Sequence, residues 1–339
     1  MAIDAGIKNA DPDGCLYIDN PKPTPYYLSP NVVMSRTPPD LNDVYLGANN
    51  TNVTVTWSGE CQIPEQKTNP DLFQVNFDLF ICDPFLGSMT PGTPSVSTLA
   101  KTFPTNGVSS GGTPIGPGNS ITTTVGPWNN PANVPVLSDP SHACLVARVY
   151  PFPSSPDTGD LSNYPAEDLH YAQHNCAVYT SAPSPRPLII QINNGTAQRE
   201  PELVAIQAVP DLNPNKLVLD TVLPSLQLIP TFKQISNKPL PPVKFDLSAF
   251  KSPHESLLEK IFEWIEKEIM ELIEELEGKC RKAGGTHARV VLPPNSSAKF
   301  GLIVDLSKAN PGDAYIYQVS QVNGKGQPYG GVTVVIAAT

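Results

Sequence analysis

AKFGLIVDLSKANPGDAYIYQVSQV, residues 298–322, sets the fold class. Two runs of alternating character, Ala298–Asp305 and Ala314–Val322, flank an Asn-Pro-Gly-Asp turn at 310–313. A period of two puts one set of side chains on one face of a sheet. Proline presets φ and glycine supplies a positive φ, which is what a tight turn needs. Working outward, Gly331–Ala338 and Ala288–Leu292 read as further strands, as do Leu188–Asn193, Glu202–Val209, Lys216–Val222 and Ser225–Pro230.

Upstream the pattern repeats. Asn52–Ser58 places Val53, Val55 and Trp57 on one face, and Phe73–Cys82 does the same with Phe73, Val75, Phe77, Leu79 and Ile81. A strand near 95–103 and Ile121–Trp128 follow. His142–Tyr150 is a near-continuous apolar run, as expected of a central strand covered on both faces. Tyr171–Thr180 reads as the last strand of this half. About seven strands in this half is a sandwich count. Ser181–Pro187 is the best linker candidate, giving domains at 1–182 and 183–339. The expected fold is therefore all-β, two β-sandwiches.

Composition agrees. There are 39 prolines in 339 residues, more than twice the usual share of about 5%. The net charge of −10 and the lack of a clustered basic patch argue against a nucleic-acid partner. No run of about 18 apolar residues is present, so no transmembrane segment is expected. The first residues lack the apolar core of a signal peptide. Six cysteines are too few to build so long a chain on disulfides.

One stretch departs from the β pattern. Residues 252–277, SPHESLLEKIFEWIEKEIMELIEELE, predict a long amphipathic helix, inserted in the second sandwich at about 250–286. Ser252, Pro253 and Glu255 form a capping-box start. Gly278 is placed to end it, with Lys279, Arg281 and Lys282 at the negative end of its dipole. Leu258, Phe262, Ile265, Ile269, Leu272 and Leu276 make a coiled-coil-like seam. Twenty-six residues span about 39 Å, longer than a typical strand of about 17–20 Å. Part of the seam should therefore project beyond any one sheet. It can cap its own sandwich, meet another subunit, or lie on a membrane surface. The last is disfavoured by charge: residues 255–277 carry nine Glu and two Lys, whereas interfacial helices favour Lys and Arg.

The search for chemistry returns little. The P-loop, H-E-x-x-H and C-x-x-C patterns are all missing. His170 and His174 are four apart, which on a strand separates them by about 13 Å, so they read as strand or loop histidines and not a metal site. Asp11-Pro12-Asp13-Gly14 reads as a turn. No enzyme activity, cofactor or metal is expected. Cys144 and Cys176 fall on what should be the last two strands of the first domain. They can form a disulfide or serve as small buried apolar residues. Cys280, after the helix, is expected to be exposed.

The first domain resembles the Ig-like β-sandwich modules of bacterial surface and secreted multidomain proteins, akin to CARDB-like domains. The residues that carry the likeness are Ser29-Pro30-Asn31-Val32, NVTVTW at 52–57, VNFDLFICDP at 75–84, HACLVARV at 142–149 and AQHNCAV at 172–178. The resemblance implies an Ig-like fold, an extracellular or cell-surface setting, and roles as spacer, adhesin or assembly subunit. The expectation is a non-enzymatic structural protein that builds a filament, surface layer or complex with itself or other subunits through sandwich surfaces and the inserted helix. The alternative is an adhesin-like module that binds through the Pro/Gly/Ser/Thr-rich loops at 86–118 and 151–166.

Overall fold

A computed structural model describes residues 16–19, 21–35, 49–57, 75–82, 85–87, 97–102, 120–128, 144–151, 169, 171–180, 188–194, 202–239, 243–246, 274–275, 278, 280, 282, 284–292, 296–322 and 328–339. The chain divides into two compact units. The first comprises Met1–Cys82 and Thr90–His174, the second Asp83–Met89 and Asn175–Thr339.

Among the described residues, the first unit holds two four-stranded sheets. In one, β3 (Asn49–Trp57) pairs with β1 (Leu16–Tyr17), β2 (Val32–Ser35) and β7 (Ser120–Trp128). The other runs β6 (Ser97–Thr102), β4 (Val75–Cys82), β8 (Cys144–Pro151), β9 (Tyr171–His174), all antiparallel. Leu145, Val146, Ala147, Arg148 and Val149 are all buried, so β8 is covered on both faces as its apolar run predicts. Ile18, Leu28 and Val32 of the same unit are also buried.

The second unit is built on a six-stranded mixed sheet. Its order is β10 (Cys176–Thr180), β18 (Pro328–Ala337), β17 (Asp313–Val322), β12 (Glu202–Pro210), β15 (Thr286–Leu292), with the short β13 (Gln234–Ile235) also on β17. A four-stranded sheet, β14 (Val243–Asp246), β16 (Ser296–Val304), β11 (Leu188–Asn194), β5 (Phe85–Gly87), contributes to the same core. Ile206, Tyr317, Val319 and Val334 of the larger sheet cluster with Ile192, Phe300 and Leu302 of the smaller. Phe245 meets the Phe300 ring edge-on at 5.2 Å between centroids, a favoured aromatic geometry. The turn at 310–313 forms as its sequence predicts. Asp313 N–H donates to the Asn310 carbonyl at 3.0 Å, and Gly312 takes a φ of 92°.

The β-rich reading holds in its coarse form, with three corrections. Residues 216–222 and 225–230, expected as strands, instead form the helix α1 (Lys216–Leu226) and a following turn. Asn215 caps it, its Oδ1 accepting from Val218 N–H at 3.0 Å. Val218, Val222, Ser225 and Leu226 are buried at helical spacing, so the helix satisfies an apolar stripe that two short strands would have split between faces.

The second correction concerns residues 171–180, expected as one strand. The strand breaks at Asn175. This fully buried residue donates from Nδ2 to the Gly331 carbonyl at 2.7 Å, and its own carbonyl accepts from Thr333 N–H at 3.0 Å. Those bonds tie the chain to β18, and β10 continues parallel to β18 rather than on β8.

Third, Gly278 does not end the helical insertion. Glu274, Glu275, Gly278, Cys280 and Lys282 are all α-helical. The remainder of the predicted helix, including its seam, lies outside the described residues.

Candidate functional site

The candidate site is the point where the predicted interaction helix joins the second unit. Glu274 and Glu275 are exposed helical residues. Open space surrounds the Gly278 Cα, so a side chain there would meet nothing within 4 Å. The end of the helix is at Gly284, whose φ of 80° lies in the left-handed region. Gly285 N–H donates back to the Cys280 carbonyl at 2.9 Å. A left-handed glycine followed by a six-to-one hydrogen bond is a Schellman stop. Gly278, the expected stop, lies six residues before this turn and is itself helical. The stop is instead set by where the chain must turn to enter β15.

The turn is packed tightly. Cys280 is 2% exposed, contrary to the expectation of an exposed thiol. Its Sγ lies 3.2 Å from the Thr286 carbonyl oxygen and 3.9 Å from that of Ala208. Ala208 and Thr286 form the last register pair between β12 and β15. A Cβ on Gly285 would sit 2.4 Å from the Ala208 carbonyl oxygen. Only glycine permits this approach of backbone to backbone. The C-terminal end of the helical segment is thus held on the sheet by a left-handed turn, a buried thiol and a backbone contact.

The seam residues Leu258, Phe262, Ile265, Ile269, Leu272 and Leu276 lie outside the described residues. Among the described residues, the large apolar side chains with substantial exposure are Val33 and Leu228. Cys144 stands opposite Cys82 across the β4–β8 ladder, and Cys176, buried on β10, stands opposite Thr333. His174 is a strand residue at the end of β9, opposite Leu145. Asp11–Gly14 and most of the loops at 86–118 and 151–166 lie outside the described residues.

The structure also holds a buried acid that sequence reading did not single out. Asp19 is 2% exposed. Its Oδ1 accepts from Ser29 Oγ at 2.8 Å and from Asn31 Nδ2 at 3.1 Å, and Oδ2 accepts no hydrogen bond among the described residues. Burial pushes its carboxyl above the ordinary aspartate value of 3.8, against the opposing pull of Lys22 and these hydrogen bonds. Lys22 Nζ donates to the Tyr171 carbonyl. The cluster knits β1, the 21–31 segment and β9 together. Short polar residues in a Pro-rich segment gave no periodic signal that would mark it.

Among the described residues no group of three or more His, Cys, Asp or Glu side chains could hold a metal ion. No described helix is long and apolar enough to cross a membrane.

No family model matches the chain. No curated protein matches it in sequence. Among solved structures it is similar to the collagen adhesin CNA of S. aureus, at 8% identity and a TM-score of 0.20, over 85% of this chain and 87% of that one. A score that low does not establish a common fold.

Proposed function

We propose that the chain is a non-enzymatic structural protein, built of Ig-like units, that assembles with further copies or other subunits through its inserted helix. The observation that supports this is the docking of the helix's C-terminal end. Cys280, Gly284 and Gly285 tie that end to the β12–β15 edge. A fixed end gives the predicted seam upstream a defined starting direction, which lowers the ordering cost of docking. Among the described residues the large apolar side chains with substantial exposure are Val33 and Leu228, so the reading rests on the predicted seam as the surface a partner would bury.

The test is Ile265→Asp with Ile269→Asp, which puts two charges in the middle of the seam. An unpaired charge is costly to bury. Light scattering of the wild type should show an assembly, and the double variant should reduce it while the melting of the second unit is unchanged. A wild type that stays monomeric, with a variant that unfolds the second unit, overturns the reading.

A further inference from the structure

The β4–β8 ladder sets Cys82 directly opposite Cys144. Cys82 is the last residue of β4 and Cys144 the first of β8, so the pair is the terminal rung. Opposite residues on antiparallel strands have Cα atoms about 4.5–5.5 Å apart. A disulfide requires about 4.4–6.8 Å. The backbone register alone therefore meets the distance requirement, with no strand movement. Cys176 and Cys280 are placed otherwise. The first belongs to the second unit, opposite Thr333, and the second is buried against the Thr286 carbonyl.

We propose that Cys82 and Cys144 are an intramolecular disulfide site, oxidised by a low-molecular-weight disulfide. One cysteine thiolate attacks a sulfur of the oxidant, expelling one oxidant thiol and leaving a mixed disulfide on the protein. The second thiolate attacks the protein sulfur of that mixed disulfide. The Cys82–Cys144 bond forms and the second oxidant thiol leaves. Two protons and two electrons pass from the protein to the oxidant.

The bridge closes residues 83–143 into one loop. That segment contains β5, which pairs in parallel with β11 in the second unit, and then β6 and β7 of the first. A long connection is where a covalent closure most restricts the unfolded chain. The site exists whether or not the chain assembles.

The experiment maps thiols in the intact, folded protein. One sample is equilibrated with glutathione disulfide and another with dithiothreitol. Both are alkylated with iodoacetamide, digested without reduction and read by mass. In the oxidised sample the Cys82 and Cys144 peptides should appear joined, lighter than the two thiol forms by two hydrogen masses. Dithiothreitol should abolish that species. The melting temperature of the wild type should rise on oxidation, and that rise should vanish in Cys82→Ser. Circular dichroism confirms that each sample is folded. Recovery of Cys82 and Cys144 both alkylated from folded, oxidised protein overturns the proposal. So does finding either one joined to a different cysteine, Cys176 included.

Discussion

Replacing each of the two glycines at the end of the helical segment with alanine tests two different physical costs. At Gly284 a methyl group has room, since the nearest atoms are Pro239 side-chain carbons at 3.6 Å. The cost of Gly284→Ala is therefore conformational, about 1–2 kcal/mol for a non-glycine residue in the left-handed region. At Gly285 the methyl group meets the Ala208 carbonyl oxygen at 2.4 Å, Cys280 Sγ at 2.8 Å and the Cys280 carbonyl oxygen at 3.2 Å. Two of these are backbone atoms and cannot swing away. Relief requires the start of β15 to move off β12, which breaks the Ala208–Thr286 rung. Overpacking costs about 1–3 kcal/mol, and a lost backbone hydrogen bond adds about 0.5–1.5 kcal/mol. Gly285→Ala should thus destabilise the second unit by roughly 2–4 kcal/mol, more than Gly284→Ala. Urea unfolding at constant slope, with hydrogen exchange read on β12 and β15 peptides, measures both. Cys280→Ala placed on Gly285→Ala removes one of the three contacts and should rescue only in part. The reasoning fails if Gly285→Ala costs less than Gly284→Ala. It fails equally if the Cys280→Ala background restores full stability, since the thiol and not the β12 backbone would then be the obstacle.

Further outcomes follow from other sites. The raised carboxyl of Asp19 means that the native state binds its proton more tightly than the unfolded chain does. Stability from this group should therefore increase as pH falls through the native value, and level off below the ordinary 3.8. Asp19→Asn should flatten that part of the melting-temperature profile of the first unit, and an unchanged profile would refute the assignment. Asn215→Ala removes the cap of α1 and should cost about 0.5–2 kcal/mol in denaturant unfolding. Leu226→Ala, at a fully buried position of the same helix, should cost about 2–5 kcal/mol; a loss under 1 kcal/mol would show that α1 does not close the core.

Much of the β architecture was legible because each strand carries its own signal. Phe300, Leu302 and Val304 alternate, and they reach the core of the second unit as alternation demands. Four of the five consecutive buried residues of β8 follow from its near-continuous apolar run, and Arg148 is buried among them. What was hidden depended on partners far along the chain. KLVLDTVLPSL mixes β-branched residues with Pro224, and each local cue reads as strand or break. The cap at Asn215 and the 218, 222, 226 spacing carry the helix, and they outweigh propensity only once there is a core for that face to cover. Asn175 is likewise silent in sequence, since its bonds go to Gly331 and Thr333, about 156 residues later. The burial of Cys280 depends on a turn at Gly284–Gly285 whose tightness comes from the β12 backbone. A long helix signal gives its own axis but not the glycine at which the sheet makes it stop.

The parallel pairing of β10 with β18 has a mechanical meaning. Suppose tension is drawn between Asn175, where the chain enters β10, and Ala337, where it leaves β18. The two strands then slide past each other along their length, because the pulled ends sit at opposite ends of the ladder. All five register pairs, from Cys176–Thr333 to Thr180–Ala337, resist together in shear. A hairpin pulled from its open end would instead unzip one rung at a time. Beyond the ladder, Ala338 is held by two further backbone bonds, donating to the Asp313 carbonyl and accepting from Gly312 N–H. Stretched along this line, the second unit should yield late and abruptly, as a catch does, and not by gradual fraying.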